Sequence, residues 1–295
     1  MIEFANFYLI PGILLGSIYA LGAIGITLTF GILRFANFAH GESMTLGAYI
    51  SFTLVQMTGL HPLMVMPISM VLTIVVLLFI DRYFYRPFRK SHAIMLVMAS
   101  FGMMLMIRSV IQFFWGVQVK TILPGIQMPI VFFDTLRLSP KHIMIIISAI
   151  VLMLAVHFLL SRTKIGKAMR AMADSPELAR LTGIDTEHVI RTTWVVGGAL
   201  GVASGVFLAI DTHVETMMGF NLLLPMFASA ILGGIGRPYG AMAGGLIIGL
   251  TEELSSYPWI GTEPLLNPGY KAGIAFIIMV GMLIWRPTGL FKGKV

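Results

Sequence analysis

Residues 4–33 read FANFYLIPGILLGSIYALGAIGITLTFGIL, and no charged side chain occurs between Glu3 and Arg34. A bilayer core of about 30 Å takes roughly 20 helical residues at a rise of about 1.5 Å each. The run is long enough to span, and the sequence predicts a transmembrane helix near residues 8–31. An acid and no basic region precedes it, which argues against a cleaved signal peptide and keeps the segment as a helix.

Outward from this segment the apolar character never breaks. Of 295 residues, 57% are hydrophobic and 11% charged, whereas soluble domains carry roughly 25% charged residues. The mean hydropathy of +0.90 agrees. A water-soluble fold of this size would lack the polar side chains to cover its surface. The reading is an all-α integral membrane protein with about eight or nine transmembrane or re-entrant segments, built as a single domain over 1–295. The net charge of +7 sits in short clusters between apolar runs, which points to orienting loops in a bilayer and not to nucleic acid. With no Cys, disulfides, thiolate chemistry and Cys-type zinc sites are excluded.

Further spans are expected near 35–58, 62–80 and 93–115, between Lys141 and Arg162, between Arg191 and Asp211, and near 270–286. From Phe220 to Leu254 the chain is apolar but broken by Pro225, Gly233, Gly234, Gly236 and Pro238, so two segments meeting at a break fit better than one helix. Gly41 allows a second break. The basic stretches 82–90 and 162–191 and the tail with Lys292 and Lys294 fall on one side, the cytoplasm by the positive-inside rule. Glycines four apart recur at Gly12 and Gly16, at Gly197, Gly201 and Gly205, at Gly240 and Gly244, and at Gly245 and Gly249. Such stripes let backbones approach closely, within one subunit or against a second.

The polar loop 162–192 predicts two short helices. The first ends near Ala173; Asp174 or Ser175 caps the second, Pro176 opens it and Gly183 closes it. Leu178 and Leu181, three apart, form an apolar ridge outside the bilayer, which suits a protein partner.

Three stretches carry a resemblance. Residues 162–184 resemble the cytoplasmic coupling loop of permeases in ATP-driven amino-acid importers. Asn37-Phe38-Ala39-His40-Gly41-Glu42 resembles the signature near the second span of the branched-chain amino-acid permeases, and Leu232–Gly236 with Pro238, Gly240-Ala241-Met242 and Gly244-Gly245 resembles that family's late glycine-rich break. Tyr85-Arg86-Pro87 also fits, and order and spacing match over almost the whole chain.

The resemblance implies a permease subunit of a binding-protein-dependent ABC importer in the bacterial inner membrane, not itself an enzyme. Its implied partners are a paralogous permease, two ATP-binding cassette subunits, an external solute-binding protein and the lipid bilayer. Coupling to the ATPase would run through Gly166, Ala168, Arg170, Ala171, Asp174, Leu178, Ala179, Leu181 and Gly183. No cofactor is expected in this chain: it has no Gly-x-x-x-x-Gly-Lys-Ser/Thr loop, and ATP would act at the partners.

Asn37, His40 and Glu42 are polar groups at or within a span, where desolvation is costly, and they read either as a pathway or gate or as an interhelical network. No catalytic or metal-binding constellation stands out; Asp211, His213 and Glu215 read as a solvated external loop. Pro225 falls where many relatives carry a Lys, and a pathway position there would mark a changed solute contact. The solutes implied are branched-chain or related amino acids, with urea, amides or other small polar solutes as alternatives for the same permease type. An ion-coupled secondary transporter with broken helices is the alternative from another class; it lacks a clear intramembrane acidic pair. A membrane enzyme ranks third.

Overall fold

The computed structural model describes residues 4–89, 91–123, 130–132, 136–258, 268–286 and 288–291. Lys90, Lys292 and Lys294 of the basic clusters lie outside the described residues. Eleven α-helices of six residues or more are present among the described residues: α1 (Ile10–Leu33), α2 (Ala39–Thr58), α3 (Pro62–Ile80), α4 (Ala93–Trp115), α5 (Pro140–Arg162), α6 (Lys164–Asp174), α7 (Pro176–Leu181), α8 (Thr186–Asp211), α9 (Met218–Gly233), α10 (Pro238–Leu254) and α11 (Lys271–Trp285). Five are long and apolar enough to cross a membrane: α1 with its lead-in, α3 with its continuation to Phe88, α4, α5 and α8. With α2, α9, α10 and α11 they make up the expected multi-pass bundle. The one β element described is a hairpin of two three-residue strands, β1 (Ile130–Phe132) and β2 (Leu136–Leu138), paired antiparallel.

The bundle is built around α1 and α8, which are buried over most of their length, while α3, α4 and α5 turn apolar faces outward. Lipid is as apolar as Leu, so burial alone does not hold membrane helices together; close packing of small residues does. All four glycine stripes do this inside the chain. Gly12 and Gly16 meet α10 at Leu250 and Leu246, and Gly245 and Gly249 meet α1 at Ala20 and Gly16. On α8, Gly197, Gly201 and Gly205 meet Gly25, His40 and Met44. Gly240 and Gly244 seat α10 on α9 at Gly233 and Ser229.

Two helices start inside the bundle. The second span, expected from residue 35, is not helical until Ala39. Arg34 ends α1 in the left-handed region (φ 58°), with its N–H donating to the Phe30 carbonyl at 2.8 Å. The chain then turns inward: the Phe38 N–H donates to the Ser100 hydroxyl at 3.2 Å. Ser100 lies seven residues into α4, about 10 Å along its axis. From the other side, α9 begins at Met218 against α2, its Gly219 N–H donating to the Thr45 hydroxyl at 3.0 Å. That hydroxyl satisfies one of the orphan donors that every helix N-terminus carries.

The late break is a tight hairpin and not a mid-bundle gap. Gly234 (φ 99°) and Gly236 (φ 86°) take left-handed conformations, and Pro238 opens α10. Gly236 packs on Gly31 beside Ala173, which places the turn at the face carrying α6 and α7. We call this the basic face. The opposite face holds the end of α8 and the start of α5, tied by Lys141 and His142 to Asp211 at 3.3 and 3.2 Å.

Candidate functional site

Where the buried starts of α2 and α9 meet, the sequence places Asn37, His40, Gly41 and Glu42. Each has a neighbour that fixes it. Asn37 is buried, and its Oδ1 accepts from the Ala39 N–H at 3.1 Å and from the Tyr85 hydroxyl at 3.3 Å. The Tyr85 ring in turn stacks on Trp194, centroids 5.3 Å apart. His40 is wedged between Gly25 of α1 and Gly201 of α8 and hydrogen-bonds to the Gly22 backbone. The Glu42 carboxylate is fully buried and pairs with Arg108 of α4, whose Nε lies 3.0 Å from Oε1. Arg108 also lies over the Phe220 ring, 4.9 Å from its centroid. Glu42 sits in the first turn of α2, at the positive end of the helix dipole.

Gly41 and Gly219 face one another so closely that a methyl group on either would overlap the other's carbonyl. The result is a packed layer locking α1, α2, α4, α8 and α9 together. Two buried atoms in it, His40 Nε2 and Glu42 Oε2, have no hydrogen-bond partner among the described residues.

Toward the opposite face from α6 and α7, a cavity of about 330 Å³ opens between α1, α8, α9, α10 and α11. That is within the range of about 300–1,000 Å³ usual for small-molecule sites. Pro225 lines it, with Leu15, Met218 and Leu222 supplying apolar wall. Asn37, His40 and Glu42 are not part of this lining. Its polar groups are Tyr19, Thr212, His213, Glu215, Asn221, Glu252 and Lys271. Pro225 lies inside α9, and a proline there deprives the Asn221 carbonyl, four residues earlier, of its usual helical donor. The Asn221 side chain donates to Glu215 at 3.2 Å, and Lys271 is held by Glu253 at 2.8 Å.

Glu252 stands apart. It is 2% exposed, its Oε2 accepts from the Tyr19 hydroxyl at 2.7 Å, and its Oε1 has no partner among the described residues. The sequence reading missed Tyr19 and Glu252. The available signal was a pair of acids, Glu252 and Glu253, in the last turn of an otherwise apolar helix. The external triplet is divided: Asp211 pairs with α5, while His213 and Glu215, 3.6 Å apart, border the cavity. No cluster of metal-ligating residues occurs among the described residues.

At the basic face, α6 and α7 form the expected helical pair. Thr163 caps α6 by accepting from the Gly166 N–H at 3.0 Å. Ser175, not Asp174, caps α7, and Gly183 closes it with φ 83°. The nine residues ascribed to coupling divide by burial. Gly166 and Ala179 are buried, Gly166 lying against Leu159 and Leu160 of α5, where a side chain would overlap backbone. Ala168 and Ala171 are half-buried, whereas Arg170, Asp174, Leu178, Leu181 and Gly183 are exposed. Leu178 and Leu181 are 63% and 84% exposed. The pair is joined to α1 by Arg34, whose Nη2 donates to the Ala173 carbonyl at 3.1 Å.

Residues 8–283 match the family described as branched-chain amino acid transport system / permease component. The chain is 33% identical over 298 residues to the high-affinity branched-chain amino acid transport system permease protein BraD of Pseudomonas aeruginosa, covering 96% of this chain and 94% of that one. It is 32% identical to the corresponding protein LivH of Escherichia coli, over 95% of this chain and 92% of that one. A probable LivH from Methanocaldococcus jannaschii is 30% identical, with 94% and 90% covered. Among solved structures, PsaBC from Streptococcus pneumoniae in complex with Fab shares the fold, with a TM-score of 0.51 and 13% identity over 97% of this chain and 95% of that one.

Proposed function

Since the chain belongs to the family of branched-chain amino acid transport system permeases, we propose that it works as one half of a paired translocation unit that moves branched-chain amino acids inward. It is a non-catalytic, multi-pass inner-membrane permease subunit of an ABC importer. The other half is a paralogous permease, two ATP-binding cassette subunits dock on the basic face, and an external binding protein delivers solute to the opposite face. ATP acts at those partners, and this chain carries no cofactor of its own.

The observation that carries the reading is the exposed ridge of Leu178 and Leu181 on a capped helix outside the bundle. An apolar ridge framed by charge is a docking surface, and the basic loops around it set its side of the membrane. Gly166 and Ala179 seat the hairpin, while Leu178, Leu181 and Arg170 face the ATPase. Motion of the hairpin reaches the solute side through α1, one continuous helix. Its basic end touches α6 through Gly31 and Arg34, and its other half carries Leu15 and Tyr19 into the cavity. The layer of Asn37, His40, Gly41 and Glu42 acts as the rigid joint between those ends.

Leu181→Asp tests the docking. A charge buried unpaired at that contact costs several kcal/mol, about 2–7 for a polar group and more for an ion. In proteoliposomes holding the complete importer, ATP-driven leucine uptake should fall at least tenfold while the permease stays in the membrane. Normal uptake by this variant would remove α7 from the coupling interface.

A further inference from the structure

We propose that the cavity at the end opposite α6 and α7 is a binding site for an organic ammonium group, with the Glu252 carboxylate as its anchor. This rests on the permease reading above and adds a ligand chemistry to it.

The groups lining the cavity point to a cation. Lys271 is a basic side chain of the lining, and its ammonium is held by Glu253 at 2.8 Å. His213 lies 3.6 Å from Glu215, which also accepts from Asn221. Glu252 is different: it is buried, pinned on one oxygen by Tyr19, and unpartnered on the other among the described residues. A buried carboxylate left half-satisfied is costly unless something pairs with it. The phenol fixes the orientation of the carboxylate in advance, so less ordering remains when a ligand arrives.

An ammonium group brings three donors. Glu252 Oε1 takes one, and Asn221, four residues before Pro225, belongs to the same lining and carries acceptor oxygens that suit a second. The apolar wall from Leu15, Met218 and Leu222 suits an aliphatic tail. Glu42 also has one oxygen without a partner among the described residues, but Arg108 neutralises it and it is not part of the cavity lining. The ligand class is an aliphatic amine or the ammonium end of a zwitterionic amino acid.

The test is binding to the purified importer without its external binding protein. Three probes are used: radiolabelled leucine, 3-methylbutylamine (ammonium, no carboxylate) and 4-methylpentanoate (carboxylate, no ammonium). Leucine and 3-methylbutylamine should compete with each other, and 4-methylpentanoate should not. Glu252→Gln should weaken both at least tenfold, and Tyr19→Phe severalfold. If Glu252→Gln does not assemble, Tyr19→Phe decides alone, and unchanged affinity in it overturns the proposal. So does equal competition by 4-methylpentanoate, or amine binding that vanishes when sodium and potassium salts are replaced by osmotically matched sucrose, which would make the anchor an alkali-ion site. Binding of 3-methylbutylamine without leucine binding upholds the ammonium site and contradicts the branched-chain solute; absence of both overturns the site.

Discussion

Two glutamates lie buried in this bundle, each with one oxygen unpartnered among the described residues, and they differ in the partner of the other oxygen and in the space beside it. Glu42, at the start of α2, pairs with a guanidinium in a layer with no room for a methyl group between Gly41 and Gly219. Glu252, near the end of α10, faces a cavity with one oxygen pinned by a phenol and the other unpaired among the described residues. The same side chain at similar burial is a structural tie in one place and an open valence in the other. Burial of a charged group does not by itself mark a site. What marks it is whether the protein has already supplied a countercharge and whether space is left beside the group.

The contrast is broken most severely by removing that partner. Arg108→Ala leaves Glu42 charged and alone, at a cost of about 3–5 kcal/mol for a buried pair stripped of one member. The account expects little assembled permease, read as detergent-stable protein on a sizing column, and partial recovery when Glu42→Gln is added. Wild-type yield of the single variant would show that the layer does not brace the bundle. A smaller perturbation of the same layer is Gly219→Ala, which drives a methyl into the Gly41 carbonyl. Overpacking of this kind costs about 1–3 kcal/mol, and a lowered thermal midpoint with unchanged solute preference is expected.

The cavity should answer differently. Pro225→Lys brings a cation into the lining that holds Glu252. It should lower leucine uptake about tenfold, equivalent to about 1.4 kcal/mol, at normal assembly, as the lysine competes for the carboxylate. Unchanged uptake across aliphatic and polar amino acids would place Pro225 outside the route. The mildest change is Tyr85→Phe, which deletes the hydroxyl reaching Asn37 but keeps the ring on Trp194. A net loss near 1 kcal/mol is expected, seen as a small drop in thermal midpoint with transport per complex intact.

Much of the architecture was legible because a membrane demands long apolar runs, and these show directly in the chain. The helical pair after Arg162 was equally plain, since Ser175, Pro176 and Gly183 punctuate it locally. The depth at which helices begin was not. The start of α2 at Ala39 depends on Ser100, sixty residues away, accepting from the Phe38 N–H. The partner of Glu42 is hidden for the same reason, because Arg108 belongs to another helix. Pro225 stood out in sequence as a departure from relatives and does line the cavity. Tyr19 and Glu252 did not stand out, because 233 positions separate them and neither belongs to a local pattern.

The central claim is that solute meets the Glu252 cavity while the Asn37–Glu42 layer stays closed to it. The chain has no cysteine, so single thiols can be placed without background. Asn221→Cys sits in the cavity lining and Ser43→Cys in the packed layer. A membrane-impermeant thiol reagent is added to the complete importer from the binding-protein side, with and without leucine-loaded binding protein. Rapid labelling is expected at 221, slowed at least tenfold by the loaded binding protein, with no labelling at 43 in either state. Labelling at 43 that solute suppresses, with 221 inert, would contradict it.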